Sequence, residues 1–436
     1  MTTKSDEHPP VRPPTAVLSR GFDPQLSVGS ARPAVFRSST YVFSSPEAAE
    51  RAFAISSGRA RPKPGESVDL IYARMNHPNA EILEDHLVPL EPGAQAAAVF
   101  NSGMAAISTL FFTVCQPGTS VVYTTPLYGG TQTLLTGLLE PLGFRGVAVE
   151  AGDTKGLKRA IREAENLRLV FIETPANPTL TMTDIGAAVE AVAARGPDRR
   201  GPALVAVDNT LLGPVFQHPL QLSSGPRGGG ADLAVYSATK FLAGFSDMLG
   251  GVITGRDPEV IARLRRVRSA LGTILQPDEC WLLDSRLPTV DLRMNKQSKN
   301  AQRIAEALAE HEAVGRMYYP SLFEDPGQVR IRDKQCSYPG ALFSIEVRGG
   351  KPAAFEFLRA LRLAKNAVSL GGVETLTCHP ASTTHSGLGP AELERTGVSD
   401  ALVRVSVGIE DWRDLLQDFR QALAAALALA GPVAAG

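Results

Sequence analysis

Lys240 is the residue with the clearest chemical potential in this sequence. It lies in the stretch AVYSATKFLAGFSDMLGG, after an apolar run and before a glycine-spaced loop. This setting is typical of an amine presented at the end of a strand. A lysine amine condenses with an aldehyde to form a Schiff base, so Lys240 could hold an aldehyde-bearing group covalently. A lysine after a strand is more often a solvated charge, and the hypothesis therefore depends on its neighbours.

An acidic residue ends the preceding strand-like run. The segment LVAVDNT carries Asp208 after an apolar run, and the next such run leads into Ser237, Thr239 and Lys240. Open α/β sheets bind ligands at the carboxyl ends of their strands, so Asp208 and Lys240 would face one ligand. A carboxylate held against a pyridine nitrogen keeps that nitrogen protonated. The pair predicts a site for pyridoxal 5'-phosphate (PLP), with its aldehyde at Lys240 and its ring nitrogen at Asp208.

Two more segments supply phosphate donors and an aromatic ring. In AAAVFNSGMAAISTLFF the pattern changes from strand to helix at Ser102, Gly103 and Met104. The free N–H groups of a first helical turn bind anions, which predicts a phosphate cradle there. In VVYTTPLYGGTQTLL, Tyr128 precedes two glycines, where its ring could stack on the pyridine and its phenol could exchange protons with a substrate. Each feature alone has an ordinary structural explanation, and their joint order favours the cofactor site.

With these motifs the chain resembles the PLP-dependent enzymes of cysteine and methionine metabolism. That family includes cystathionine γ-synthase, cystathionine γ-lyase, methionine γ-lyase and O-acylhomoserine sulfhydrylase. The matching segments are YARMNHPN, NSGMAAI, PLYGGT, ETPANP, VDNT, YSATKFLAGFSDMLGG, AVSLGGVETLTCHPASTTH and VRVSVGIED. The resemblance implies a fold-type-I PLP-dependent transferase-like α/β fold. It consists of a large domain with a mostly parallel sheet and a smaller α/β C-terminal domain.

The resemblance also implies how the cofactor is held. Lys240 would form the Schiff base, Asp208 would bind the pyridine nitrogen, and Tyr128 would stack on the ring and carry a proton. The other residues implied to contact the cofactor are Gly103, Met104, Ser237, Thr239 and Thr210 of one subunit, with Tyr72 and Arg74 of a neighbouring subunit. A shared site of this kind implies an obligate oligomer, which we expect to be a homotetramer built as a dimer of dimers.

The resemblance further implies a small-molecule amino-acid substrate. Asn177, Ser369 and Arg404 would position it, with the Arg404 guanidinium gripping the α-carboxylate through a two-pronged contact. From the alternating pattern of LVRVSV alone, Arg404 would instead be an outward charge on a strand. Val368 stands where cystathionine-handling members tend to carry a glutamate, which favours an uncharged thioether substrate. Gly130 stands where methionine γ-lyases usually have a cysteine.

These features favour γ-elimination of methionine or a related γ-substituted amino acid, giving 2-oxobutanoate, ammonia and a thiol. The alternative is γ-replacement on O-acylhomoserine, as in cystathionine γ-synthase or O-acylhomoserine sulfhydrylase. Two hypotheses belong to other classes. The first is a non-catalytic binding protein, which the presence of Lys240, Asp208 and Tyr128 disfavours. The second is an aminotransferase of the same broad fold. The aminotransferase is disfavoured because Tyr128 and the VSLGG segment match the γ-chemistry group.

The composition excludes several partners and compartments. The chain has 436 residues and a formal net charge of -1 without long charged blocks, so we expect no nucleic-acid or membrane partner. No apolar run is long enough to span a bilayer, and MTTKSDEHPPVRPP lacks the apolar core of a signal peptide. We therefore predict a cytoplasmic enzyme. Because the cysteines and histidines show no ligand spacing, we predict no metal site.

Strand-like and helix-like patterns alternate through the middle of the chain, which predicts a parallel sheet covered by helices on both faces. We predict a disordered tail and an irregular N-terminal arm at 1–75, a PLP-binding large domain at 76–270 and a small domain at 271–436. The predicted strands of the large domain are 97–100, 120–123, 169–172, 204–207 and 233–236. Predicted helices include 185–194, 284–311 and 412–430, and the glycine-rich segment 223–230 is predicted to be a surface loop.

Overall fold

A seven-stranded, mostly parallel sheet organises the larger part of the molecule. The computed structural model describes residues 11–198, 201–222 and 230–430, and the following sheets and helices belong to that part. The strands of the first sheet are β1 (Ala96–Phe100), β2 (Ser120–Thr125), β3 (Arg145–Glu150), β4 (Leu167–Glu173), β5 (Leu204–Asp208), β6 (Leu233–Ser237) and β7 (Gly251–Gly255). Their order is β1-β7-β6-β5-β4-β2-β3, with β7 antiparallel to both of its neighbours and the other pairs parallel.

Helices cover both faces of this sheet. The helices of the chain are α1 (Pro13–Ala16), α2 (Pro46–Ser56), α3 (Pro78–Leu87), α4 (Gly103–Val114), α5 (Gly129–Thr133), α6 (Thr154–Glu163), α7 (Ile185–Arg195), α8 (Pro258–Leu271), α9 (Pro277–Arg286), α10 (Val290–Leu308), α11 (Pro326–Gln335), α12 (Gly350–Ala360), α13 (Pro390–Arg395) and α14 (Trp412–Ala430). Successive strand residues point to opposite faces. On β4, Val170 therefore packs in a core with α6 and α7, whereas Phe171 packs in a second core with α4 and α8.

A smaller sheet follows in the C-terminal part. Its strands are β8 (Val314–Tyr318), β9 (Leu342–Val347), β10 (Lys365–Asn366), β11 (Leu376–Cys378) and β12 (Leu402–Ser406), in the order β10-β11-β12-β9-β8. All neighbours are antiparallel except β10 and β11. Its core joins Phe343 of β9, Phe357 of α12 and Phe419 of α14. The expected fold, a large mostly parallel sheet with a smaller α/β part, is confirmed.

The structure corrects two predictions about elements. The helix predicted over 284–311 is interrupted by a single turn at Leu287–Thr289, and α10 begins at Val290. Pro288 explains the interruption, because proline donates no backbone hydrogen bond and crowds the preceding turn. The arm is also not irregular throughout, since it contains α2, where the Ser45 side chain accepts a hydrogen bond from the Ala48 amide at 3.1 Å.

Parts of two predictions lie outside the described residues. These are residues 1–10 of the predicted tail and residues 223–229 of the predicted glycine-rich loop. Within the tail, Pro13–Ala16 forms the short helix α1. The domain boundaries at 75/76 and 270/271 stay predictions.

Candidate active site

The carboxyl ends of three adjacent strands form the floor of one cavity. Glu173 ends β4, Asp208 ends β5 directly beside it in register, and Ser237 ends β6. The predicted site residues that line this cavity are Gly103, Met104, Tyr128, Asn177, Asp208, Thr210, Ser237, Thr239, Lys240, Val368 and Arg404. The fold thus brings together residues that are far apart in sequence, because parallel strands deliver their last side chains to one edge.

Lys240 lies in this cavity with its amine close to the C-terminal part of the chain. Its Nζ donates a hydrogen bond to Ser369 Oγ at 3.0 Å, so the predicted residue Ser369 is part of the site. Burial, together with the nearby positive charge of Arg404, lowers the pKa of Lys240 to about 8. Both effects disfavour the charged amine. Lys240 therefore presents a neutral, nucleophilic amine at a much lower pH than an ordinary lysine does.

Asp208 is a half-buried carboxylate held by the turn that follows β5. Its Oδ1 accepts hydrogen bonds from Thr210 N at 3.1 Å and from Thr210 Oγ1 at 2.6 Å. Burial raises its pKa, and the bonds from Thr210 oppose this effect. No ion pair joins Asp208 to a basic side chain within the described residues. A carboxylate that lines the cavity without a cation fits a protonated pyridine nitrogen as its partner.

The start of α4 forms a narrow anion cradle. Ser102 caps this helix, its Oγ accepting a hydrogen bond from Ala105 N at 3.0 Å. A Cβ atom on Gly103 would lie 3.0 Å from Ser237 Cβ and 3.1 Å from Ser237 Oγ, so glycine allows the helix to begin against β6. The first residues of the helix line this space together with Ser237 and Thr239, and helix N-terminal N–H groups and hydroxyls are donors that bind phosphate. These donors fit the phosphate of PLP.

Tyr128 stands at the mouth of the cavity, and its side chain is 46% exposed. Its backbone N donates a hydrogen bond to Glu173 Oε2 at 2.7 Å. A Cβ on Gly130 would lie 2.7 Å from Tyr128 Cε1 and 2.9 Å from Met104 Sδ. The glycine at 130 thus allows the Tyr128 ring to lie against the start of α5, beside the residues of the phosphate cradle.

Arg404 is a buried guanidinium, only 2% exposed, on the central strand β12. Its Nη1 donates to Asn177 Oδ1 at 3.2 Å, and its Nη2 donates to the backbone oxygens of Val368 and Ser369 at 3.0 and 2.9 Å. Its Nε has no hydrogen-bond partner, and no carboxylate pairs with it, within the described part of the chain. The outward orientation expected from the strand pattern alone is wrong, because the segments that carry Asn177 and Ser369 pack over this face of the sheet and bury the side chain against the cavity.

Tyr72 and Arg74 do not line the cavity of their own chain. Arg74 Nη1 donates to Ser269 O at 2.7 Å and to Ser269 Oγ at 3.2 Å, and Tyr72 is 42% exposed. Their predicted contact with the phosphate of a neighbouring subunit stays a prediction.

The structure adds Glu173 to the site. It lines the cavity beside Asp208, and burial raises its pKa to about 8, with a further contribution from the Asp208 charge. In the sequence its signal was its place in ETPANP, directly after a predicted strand. Conversely, His379 lies outside the cavity lining, with its ring nitrogens 2.8 Å from Ser382 Oγ and from Asp400 O. Its contacts are those of a residue that holds a turn.

Comparison with known proteins agrees with this geometry. Residues 14–424 match the family model described as Cys/Met metabolism PLP-dependent enzyme. The chain belongs to this family. The family match confirms both the resemblance and the cofactor predicted from the motifs, and it makes the cavity described above the expected place for PLP.

Three relatives show how closely this member of the Cys/Met metabolism family resembles known enzymes. The chain is 37% identical over 412 residues to an L-methionine gamma-lyase of Pseudomonas putida, covering 94% of this chain and 97% of the relative. It is 38% identical to a cystathionine beta-lyase of Bacillus subtilis, covering 81% and 85%. Among solved structures, a cystathionine gamma synthase of Xanthomonas oryzae pv. oryzae superposes with a TM-score of 0.84 at 33% identity, covering 96% of this chain and 100% of that one.

These relatives include two lyases and a γ-synthase. Membership of the family therefore establishes PLP-dependent chemistry on sulfur amino acids. Within the residues that the structure describes, no helix combines the length and the apolar character needed to cross a membrane.

Proposed function

We propose that this enzyme catalyses γ-elimination of L-methionine or a related γ-substituted amino acid, releasing 2-oxobutanoate, ammonia and a thiol. The observation that carries the proposal is the buried Arg404 guanidinium, which lacks a carboxylate partner in the described chain and lines the same cavity as the apolar residues Val368, Leu249 and Leu370. An α-carboxylate pairs with a guanidinium through two parallel hydrogen bonds. An apolar wall suits an uncharged thioether better than a second charged amino-acid group.

The residues of the cavity have distinct tasks in this reaction. PLP, when bound, supplies the electron sink that stabilises negative charge at the substrate's α-carbon. Asp208 holds the pyridine nitrogen in its protonated form, and Arg404 with Asn177 orients the substrate carboxylate. The Lys240 amine, hydrogen-bonded to Ser369, is placed to act as the base for the α-proton and, after passing that proton on, for a β-proton. The electron pair left at the β-carbon expels the γ-substituent. The Tyr128 phenol at the cavity mouth donates a proton to the departing thiolate.

A second candidate reaction is γ-replacement on an O-acylhomoserine with a thiol. The specific observations in its favour are the similarity to the cystathionine gamma synthase structure and the presence of Gly130 in place of the cysteine usual in methionine γ-lyases. The same cavity residues serve both reactions, because each requires removal of the α-proton and of a β-proton before the γ-substituent departs.

Release of 2-oxobutanoate and a thiol from L-methionine by the purified, PLP-loaded enzyme tests the proposal. L-Norleucine, which has the same chain length without sulfur, serves as the substrate control, and Lys240→Ala serves as the protein control. Release of both products from methionine alone, and from neither control, is the expected result. If methionine yields no product while an O-acylhomoserine with cysteine or sulfide is consumed, the proposal of γ-elimination is wrong and the function is γ-replacement.

The proposal includes the assembly and the compartment. We place the enzyme in the cytoplasm as a homotetramer, a dimer of dimers in which Tyr72 and Arg74 complete the phosphate site of a neighbouring subunit. The shared phosphate site is supported by two observations: both residues are exposed, and neither lines the cavity of its own chain.

A further inference from the structure

Glu173 makes two hydrogen bonds to the loops that carry the substrate-facing residues. Its Oε2 accepts from Tyr128 N at 2.7 Å, and its Oε1 accepts from Asn177 N at 3.4 Å. Its own N donates to Thr124 Oγ1 at 3.1 Å, which fixes the end of β4 against the end of β2. One buried carboxylate thus connects the loop after β2, which carries Tyr128, to the loop after β4, which carries Asn177.

The two loops bound by Glu173 have different tasks in the proposed reaction. Tyr128 would contact the cofactor ring and the leaving group, whereas Asn177 hydrogen-bonds Arg404 at 3.2 Å and thereby contacts the carboxylate-binding group. Because both backbones bind one side chain, the separation between the two loops is fixed. These loops carry the groups that would contact the two ends of a bound substrate. Reactions of this kind lose rate when reacting groups are misplaced by about 1 Å.

The charges around Glu173 are those of the site itself. Asp208 lies beside it from β5, and the cavity that both carboxylates line also contains Lys240 from the segment after β6 and Arg404 from β12. No ion pair to Glu173 is present within the described residues. A buried carboxylate without a salt bridge is costly for the fold. Its presence in this chain is therefore better explained by the backbone groups that it positions than by a contribution to stability.

We infer that Glu173 is a positioning residue, which holds Tyr128 and Asn177 at a fixed separation across the cavity by binding both backbone N–H groups. The inference rests on the roles assigned to Tyr128 and Asn177 in the proposed function. Glu173 does not touch the reacting atoms in this inference. It acts through the two loops, so its replacement changes the geometry of the site while the cofactor-binding groups remain present.

Glu173→Gln and Glu173→Ala variants test the inference. Glutamine keeps the length and one acceptor oxygen, whereas alanine removes both acceptors. Asp418→Asn is a matched control, because Asp418 is also a buried carboxylate and accepts backbone N–H bonds at 2.8 to 3.1 Å from Arg362, Leu363 and Ala364, away from the cavity. The measurements are kcat and KM, the visible circular dichroism of bound PLP, and the thermal midpoint Tm.

We expect Glu173→Gln to lower kcat about tenfold and Glu173→Ala about a hundredfold, with an altered circular dichroism band of bound PLP in both. Asp418→Asn should lower Tm while leaving kcat and the band unchanged. Glu173→Gln with normal kcat, KM and dichroism, whatever its Tm, would overturn the inference. If Glu173→Ala does not fold, Glu173→Gln decides. If the wild type does not act on methionine, the proposed function is wrong, but the inference about Glu173 can still be tested. The dichroism band reports the geometry of the bound PLP ring without any substrate.

Discussion

At the residue scale, the chemistry of the site depends on how the fold changes the basicity of Lys240. The free amine forms covalent bonds, and the ammonium ion does not. Burial and the Arg404 charge lower the pKa of Lys240 to about 8. The folded protein therefore prepares its nucleophile before any cofactor arrives.

The attachment of PLP to the cofactor-free enzyme should accordingly depend on pH. Only the neutral amine attacks the aldehyde of PLP. The rate of PLP attachment should therefore rise with pH and level off above a midpoint near 8, the pKa of Lys240. Arg404→Gln removes one cause of the lowered pKa and should move the midpoint upward. Stopped-flow absorbance at a series of pH values measures both midpoints. An exposed remote substitution, Arg413→Gln, is the control, and an unchanged midpoint in Arg404→Gln would contradict the expectation.

The sequence was sufficient to predict the residues whose role follows from local context. Asp208 ends one apolar run, Lys240 follows the next run by a few residues, and Gly103 begins a helix, so their positions follow from strand and helix patterns. The burial of Arg404 could not be predicted from its own alternating strand, since it depends on contacts with Asn177 and with the backbone of Val368 and Ser369. The connection of Glu173 to two loops likewise exists only once β2 and β4 lie side by side.

At the scale of elements, the segment from Ser369 to Gly371 contacts both the side-chain amine and the backbone of Lys240. Ser369 Oγ accepts from the Lys240 amine, and Gly371 N donates to Ser406 Oγ at 2.8 Å. Gly371 has φ +80°, and a Cβ there would lie 2.7 Å from Phe241 N and 3.0 Å from Lys240 C. The C-terminal part of the chain therefore packs directly on the backbone that carries the reactive amine.

Gly371→Ala should displace that backbone. The substitution combines a disfavoured positive φ with a collision against main-chain atoms, so we expect a loss of about 1–3 kcal/mol of folding free energy and faster loss of PLP. Gly118→Ala is the matched control, because Gly118 also has a positive φ, +83°, and a Cβ there would meet nothing within 4 Å. Urea unfolding and dialysis of the loaded enzyme measure the two effects. Equal PLP retention in both variants would show that the contact with Lys240 does not matter.

The elements that sequence patterns failed to predict share a physical cause. β3 has the sequence RGVAVE and is a half-exposed edge strand, and β7 is a short strand bounded by glycines. Neither shows the continuous apolar run that identified the central parallel strands. The central strands and the closing helix α14 were predicted because burial on two faces, or along one helical stripe, leaves a strong periodic pattern.

At the scale of the whole molecule, one chain contains a cavity that lacks the two arm residues predicted to complete it. Tyr72 and Arg74 lie away from the cavity of their own chain, so the proposed assembly requires a contribution from a second subunit. Such an arrangement makes catalysis depend on association, since a single chain would bind the cofactor phosphate incompletely.

Mixing two inactive variants tests this dependence. Arg74→Ala and Lys240→Ala damage residues that would meet in one site from different chains, so subunit exchange should restore one intact site per mixed dimer and about a quarter of the wild-type activity. A mixture of Lys240→Ala with Asp208→Ala is the control, because these residues belong to the same chain's cavity and no intact site forms. Absence of recovery in the first mixture after proven exchange would remove the support for a shared site.

The position of Arg404 on β12 has a consequence for the order in which the protein is made. The strands of the first sheet, the start of α4 and Lys240 all precede residue 256, whereas Arg404, the group proposed to bind the substrate carboxylate, lies on a strand of the second sheet. A ribosome extends the chain from its N-terminus, so the cofactor-facing wall emerges while the carboxylate-facing wall is still untranslated. A nascent chain of this enzyme therefore contains Lys240 before it contains Arg404, one of the two causes of the lowered pKa of that lysine.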